Sequence, residues 1–360
     1  MSPETQQKNR PVCILLVVGS LVLTGSRIRG AVCAAVRAHG VRRAEKKSDE
    51  QTGVGSRHTG RTRRKGARVI LVTGATGTVG REVVRRLPAH VPVRIMARDP
   101  ARVTGAGEAA QTVAAHYGDP RSLERALSGV LTAFLVTSRV AGDDDARFVR
   151  AARAAGVRRV VKLSAAAVTD PRADDLITRW QRAGEELLQD SGIGWTFLRP
   201  RAFMSNTLSW AGAVRCEGVV RALYGRSLNA CVDPRDIAEA AARVLTEDGH
   251  AGRAYTLTGP APVSAIDQTR QLGRLLGRPL RFEELSRHEA HAALAARYPA
   301  PVVEALLESA ERGRAGAKAG VEHTVRELTG RPARSFHDWA ADHLAAFAPD
   351  GAAPGTRLSA

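Results

Sequence analysis

From residue 69 onward, two rhythms of apolar positions alternate along the chain. Short apolar runs such as Val69 to Val72 (VILV) and Val91 to Ala97 (VPVRIMA) read as strands. Between them, apolar residues recur at the helical interval, as in Val79, Val83, Val84 and Leu87. Further strands are predicted at Thr112 to His116, Leu131 to Thr137, Val157 to Leu163 and Trp195 to Leu198, the last interrupted by Pro200. The intervening helices are one capped by Asp119, with Leu123, Ala126 and Leu127 on its apolar face, then Asp143 to Ala155, then Asp174 to Ser191 closed by Gly192. Strands separated by helices of this length require right-handed crossovers, which predicts an α/β fold with a doubly wound, mostly parallel sheet. From about Ser264 to Phe347 the pattern is mainly helical, with β character only in "LRFEEL". The expected organisation is an α/β domain over 68–260 with a loop at 199–216, a helical region over 261–348 that caps the carboxyl edge of the sheet, and a flexible tail at 349–360.

The junction of the first strand and helix carries the clearest chemistry. In "LVTGATGTVGREVVRRL", residues 71–87, Gly74, Gly77 and Gly80 punctuate the turn. A dinucleotide-binding turn needs the first glycine for the bend and the second so that backbone can approach a pyrophosphate. The third lets the helix pack close to the strand. The phosphates would then meet unpaired N–H groups at the positive end of the helix dipole, which makes Thr76, Thr78 and Val79 contact candidates beside the glycines. At 21 residues past Gly77, where an NAD-specific domain places a carboxylate on the ribose 2′-hydroxyl, this chain has Arg98. A guanidinium suits a 2′-phosphate and points to NADP(H), although Asp99 follows directly.

Composition narrows the function classes. The chain has 360 residues, 44% of them hydrophobic, enough for a large core, whereas 4% aromatic content argues against a base-stacking platform. The net charge of +18 suggests a nucleic-acid partner until it is divided. Residues 1–67 hold 14 Lys and Arg against 4 Asp and Glu, and the remainder holds 40 against 32, with positives alternating with acids along helical stretches. No helix-turn-helix or zinc spacing is present, so direct nucleic-acid binding is not expected. Within the first 67 residues, the apolar run from Val12 to Leu23 has the length of a signal-peptide core and is short for a stable membrane span, while Arg27 and Arg29 crowd the cleavage region. The basic segment after it lacks periodicity and is expected to be disordered. Three readings stand for this extension: a non-native or mis-started stretch, a targeting or anchoring segment, or a functional basic tail. The first is preferred, because export would separate the enzyme from reduced nicotinamide cofactor. A cytoplasmic location is therefore expected. Cys13, Cys33, Cys216 and Cys231 form no metal spacing, and no metal is expected.

Six segments, "TGATGTVG", "ARDP", "GDPRSLERAL", "EELLQDSGIGWTFLRP", "VDPRDIAEAAARVL" and "YTLTGP", together resemble the NmrA-like group of atypical short-chain dehydrogenase/reductases over residues 68–345. The resemblance implies a Rossmann domain, NADP(H) as cofactor and a small C-terminal substrate region. It implies that Asp119 lies near the adenine and Thr137 and Ser164 beside the ribose and nicotinamide, with Pro200 at the cofactor. The stretch Arg199 to Asn206 would follow the substrate cleft, with Phe203, Met204 and Asn206 on the acceptor.

The chain departs from the wider superfamily at the proton relay. No Tyr-x-x-x-Lys pair exists, and the family's spacing puts Ile177 and Gln181 in those positions. His116, His250, His288 and His291 fall at loop or peripheral helix positions and offer no substitute. A ketone reduced without an acid leaves a strongly basic alkoxide, whereas a quinone or other conjugated acceptor leaves a stabilised anion. The expected activity is NADPH-dependent reduction of a small quinone-like or azo-type acceptor. The alternative is a non-catalytic NADP(H)-binding redox sensor that reports to a protein partner. The catalytic residues themselves are not assigned.

Overall fold

The protein is described here by a computed structural model of residues 69–107 and 110–349. The expectations for residues 1–67 and for the tail from 350 lie outside the described residues.

Each βα unit begins with a strand whose alternate residues face opposite layers. In β1 (Val69–Thr73), Ile70 and Val72 enter one core while Leu71 enters the other, so the whole run is apolar. The chain continues through α1 (Thr78–Arg86), β2 (Val93–Ala97), β3 (Gln111–Ala114), α2 (Pro120–Leu127), β4 (Val130–Leu135), α3 (Asp144–Ala154), β5 (Arg159–Leu163), α4 (Leu176–Gln189) and β6 (Gly194–Pro200). It proceeds through α5 (Ala211–Glu217), β7 (Val219–Ala222), α6 (Pro234–Thr246), β8 (Arg253–Leu257), α7 (Ala265–Leu275) and β9 (Arg281–Glu284). Four helices follow: α8 (Arg287–Ala295), α9 (Ala300–Arg314), α10 (Thr324–Thr329) and α11 (Phe336–Asp342).

Seven strands form a parallel sheet in the order β3-β2-β1-β4-β5-β6-β8. This is the doubly wound α/β arrangement expected from the sequence. The strand order reverses between β1 and β4, the place where such sheets open a crevice for a ligand. Helices α1 and α6 cover one face, where Val79, Val83, Ile237 and Ala241 pack on Val72 and Val161. Helices α2 and α3 cover the other, where Leu123, Leu127, Phe148 and Ala152 pack on Leu71, Val160 and Phe197.

The rest of the chain builds a second layer over the carboxyl edge. Here β7 pairs in parallel with β9, away from the main sheet. This pairing joins residues 219–222 to 281–284 across the expected division at 260. Meanwhile α6 and β8, which lie between them in sequence, return to the main sheet. Trp210, Val214, Val220, Leu272, Phe336 and Trp339 form the core of this layer.

Candidate active site

The glycine turn owes its shape to close backbone approach. Gly74 has φ +66°, which favours glycine, and a Cβ on it would lie 2.9 Å from the Val136 Cβ. Gly77 N–H donates to the Gly74 carbonyl at 2.9 Å, closing the turn. Gly80 lies so close that a Cβ there would sit 2.3 Å from the Gly74 carbonyl oxygen. The turn is braced from β4: Val136 N–H donates to Thr73 Oγ1 at 2.8 Å, and the buried Tyr117 hydroxyl donates to the Val136 carbonyl at 2.7 Å. Burial pushes the Tyr117 hydroxyl well above its ordinary range, which makes it a brace and a poor acid.

Helix α1 starts at Gly77 with no side-chain cap and no acidic residue in its first turn. By contrast, Asp119, Asp175 and Asp233 cap α2, α4 and α6 with their own carboxylates. The first N–H groups of α1 therefore remain available to an anion, as a dinucleotide pyrophosphate requires. Thr76 is exposed at this turn, Thr78 is half-buried, and Val79 is buried in the core beneath it.

Arg98 follows β2 directly and is exposed, and no described residue bonds to its side chain. Asp99 does not compete for the ribose end, because its carboxylate accepts the Ala101 N–H at 3.1 Å and caps the turn Pro100–Arg102. Asp119, at the far end of the same edge, spends one oxygen on the Arg121 N–H at 3.1 Å. Hydrogen bonding in this cap, led by the Ser122 backbone, holds its carboxyl below the usual range.

Four residues that the resemblance assigns to the nicotinamide end and the proton relay differ in their surroundings. Ser164 follows β5, is 1% exposed, and its Oγ has no partner among the described residues. Thr137 is equally buried, but its hydroxyl is committed to Asp145, 3.2 Å from both carboxylate oxygens. Ile177 is buried among Leu223, Ala290 and Leu294 of the C-terminal layer. Gln181 is 0% exposed, and both amide atoms lack partners among the described residues. It lies on the α4 stripe between Ile177 and Glu185, one turn from the ion pair that Glu185 makes with Arg199 of β6.

Pro200, the last residue of β6, and Phe203 and Met204 beyond it are buried. Phe203 packs in the core of the main sheet and Met204 with Trp210 in the second layer. Asn206 is 6% exposed, with both amide atoms unpartnered, and the neighbouring Ser205 Oγ is also unpartnered. Of the three predicted acceptor contacts, Asn206 alone has hydrogen-bonding capacity to offer. His250 precedes β8, at the amino end of the sheet, where its Nδ1 lies 2.7 Å from the Tyr255 hydroxyl, remote from this cleft.

The sequence reading missed a buried ion pair between β5 and α3. Lys162 on β5 donates to Asp145 Oδ1 of α3 at 2.9 Å, with both side chains essentially inaccessible. Its ammonium sits 5.7 Å from the Trp180 ring centroid. Gly184 makes room for the pair: a Cβ there would lie 2.9 Å from Asp145 Oδ2 and 3.0 Å from Lys162 Cε. The signal was available in "VRRVVKL", whose lysine occupies an inward position of a strand with both faces covered.

A cavity of about 540 Å³ lies in the second layer, lined by Tyr224, Leu228, Glu284 and Arg314 among others. Among the described residues, no group of His, Cys, Asp and Glu is arranged to hold a metal, and no helix is long and apolar enough to cross a membrane.

The uncapped α1 terminus, the crowded glycines, the free Arg98 and the orphaned polar groups of Ser164 and Gln181 fit a nicotinamide dinucleotide laid across the carboxyl edge. Comparison with known proteins agrees. Residues 74–248 match the model of a family described as NAD(P)H-binding. The chain is 59% identical over 282 residues to the (4-alkanoyl-5-oxo-2,5-dihydrofuran-3-yl)methyl phosphate reductase of Streptomyces griseus, covering 78% of this chain and 100% of that one. It is 36% identical to the NAD(P)H azoreductase of Xenophilus azovorans, covering 78% of this chain and 99% of that one. Among solved structures it is similar to an NADPH-dependent quinone oxidoreductase of Escherichia coli in complex with NADPH, with 29% identity, a TM-score of 0.68, and coverage of 77% and 99%. These relatives are reductases of small acceptors, in accord with the sequence reading. The chain belongs to an NAD(P)H-binding family of reductases.

Proposed function

We propose that this protein is an NADPH-dependent reductase of conjugated acceptors that needs no protein acid. The observation that carries the reading is the pair of residues at the relay positions. Ile177 is an apolar core residue, and Gln181 is a fully buried amide. Neither can deliver a proton at neutral pH, so the acceptor must hold the developing charge itself. The substrate name of the Streptomyces griseus relative describes such a group: a ring double bond whose one carbon carries both the ring carbonyl and the alkanoyl carbonyl. Addition at the other carbon leaves an anion spread over two carbonyls, which water can protonate.

When bound, NADPH supplies the hydride. The glycine turn and the α1 terminus hold its pyrophosphate, and Arg98 takes the 2′-phosphate. The buried amides of Gln181 and Asn206 offer donors and acceptors that orient the nicotinamide ribose and the acceptor carbonyl. Dense packing around them excludes water, so the rate advantage comes from positioning.

Replacement of Arg98 by alanine is expected to weaken NADPH binding by about 1.5–3 kcal/mol, the scale of a charge-assisted contact, and to leave NADH nearly unchanged. Fluorescence titration with both cofactors decides it, and equal losses would remove Arg98 from the 2′-phosphate.

The activity is tested by following NADPH oxidation with quinones, an azo dye, an acyl-substituted unsaturated lactone and aliphatic ketones. Turnover is expected for conjugated acceptors. Ketone rates should fall at least about a hundredfold below them, the contribution of a general acid. Efficient ketone turnover would reveal a proton donor, whereas tight NADPH binding without turnover of any acceptor would favour the redox-sensor reading.

A further inference from the structure

One cation near the cleft has no counterpart among the described residues. Arg201 follows β6 immediately, with its backbone N–H on the Leu257 carbonyl at 2.9 Å. Its side chain is half-buried, its Nε is sealed from solvent, and no described residue hydrogen-bonds to the guanidinium or forms an ion pair with it. Its neighbours are satisfied: Arg199 pairs with Glu185, and Arg312 of α9 pairs with Asp175. Asp170 and Glu322 are the acids that influence Arg201, and both act from beyond contact distance. Burial outweighs them and pulls the guanidinium below its ordinary range. A half-buried arginine left in this state is costly unless a ligand completes it.

The surroundings leave room for that ligand. Gly320 borders the guanidinium, and even a Cβ there would stand 4.0 Å from Arg201 Nη2. Lys318 in the same loop is buried, with its Nζ donating to Ser309 Oγ at 3.0 Å. Burial first, and then the nearby positive charges of Arg312 and Arg201, push its ammonium down to about 7.

The position excludes the cofactor's own phosphates as the partner. In the sheet, β6 stands three strands from β1, which leads into the pyrophosphate turn, and four from β2, which carries Arg98. At roughly 4.8 Å per strand these offsets are about 14 and 19 Å. Arg201 thus lies at the acceptor end of the crevice.

We propose that Arg201 anchors a phosphate monoester arm of the acceptor and thereby sets substrate preference. The assignment rests on the reductase reading above. A guanidinium offers paired donors to phosphate oxygens, and partial burial strengthens them.

The test uses the full chain saturated with NADP⁺ and a saturated lactone methyl phosphate, which cannot accept hydride, so it does not depend on turnover. Calorimetric titration is expected to show Arg201→Gln weakening this ester about ten- to hundredfold, with Arg201→Lys intermediate. The corresponding alcohol should bind wild type and both variants alike. In turnover, Arg201→Gln should raise KM for a phosphorylated unsaturated lactone by a larger factor than for the corresponding alcohol. Equal losses for ester and alcohol, or no loss for either, would overturn the assignment. Inorganic phosphate should bind wild type much more weakly than the ester; equal affinity would make this a free-phosphate site and also overturn it. If no acceptor is reduced while the ester still discriminates between wild type and Arg201→Gln, the reductase reading fails and the anion site stands.

Discussion

Alanine in place of Gly80 is expected to cost roughly 1–3 kcal/mol of stability, as overpacking of a filled site does, and to lower NADPH affinity by at least about tenfold. The new Cβ would fall 2.3 Å from the Gly74 carbonyl oxygen and 2.6 Å from its carbon. Both obstacles are backbone, so no rotamer change relieves the clash, and the turn must move relative to α1. That movement displaces the N–H groups meant for the pyrophosphate. Thermal melting with and without NADPH checks both halves of the expectation. An unchanged melting temperature and unchanged cofactor affinity would mean that the helix packs against the turn less closely than described. At Gly77 the consequence is milder, since a Cβ there would lie 3.2 Å from the same oxygen.

Lys162→Met is expected to destabilise the fold by about 3–5 kcal/mol, the cost of stranding a buried charge. The lost ammonium is the only cation hydrogen-bonded to Asp145 among the described residues, and the remaining partner of that carboxylate is the Thr137 hydroxyl. Adding Asp145→Leu should recover much of the loss, because an apolar pair replaces an ionic one without leaving an uncompensated charge. Denaturant unfolding of both single variants and the double variant measures the coupling. Additive losses would show that the two side chains do not stabilise each other.

The parts of the fold legible in the sequence are those where local and tertiary demands agree. β1 and the helix capped by Asp119 announced themselves because a buried parallel strand is apolar throughout and a capped helix must begin with an acceptor. β7 did not, because it is four residues long and pairs with β9, the strand read in "LRFEEL", some sixty residues away. At the candidate site, glycine spacing made the tight turn between β1 and α1 legible, since only backbone geometry is at stake there. Phe203 and Met204 read as acceptor contacts from their place in the loop, yet tertiary packing drew both into hydrophobic cores. Arg201 was hidden for a different reason. In a chain with 54 Lys and Arg, nothing local distinguishes an unpaired cation from a solvated one.

The most direct test of the central claim is to follow a single hydrogen. The protein is supplied with NADPH deuterated at the transferable position and with an acyl-substituted unsaturated lactone in ordinary water, and the product is read by NMR. One deuterium is expected on the ring carbon β to the two carbonyls, with the hydrogen at the carbon between them drawn from solvent. Product without deuterium, or cofactor binding with no reduced product from any conjugated acceptor, would contradict the account.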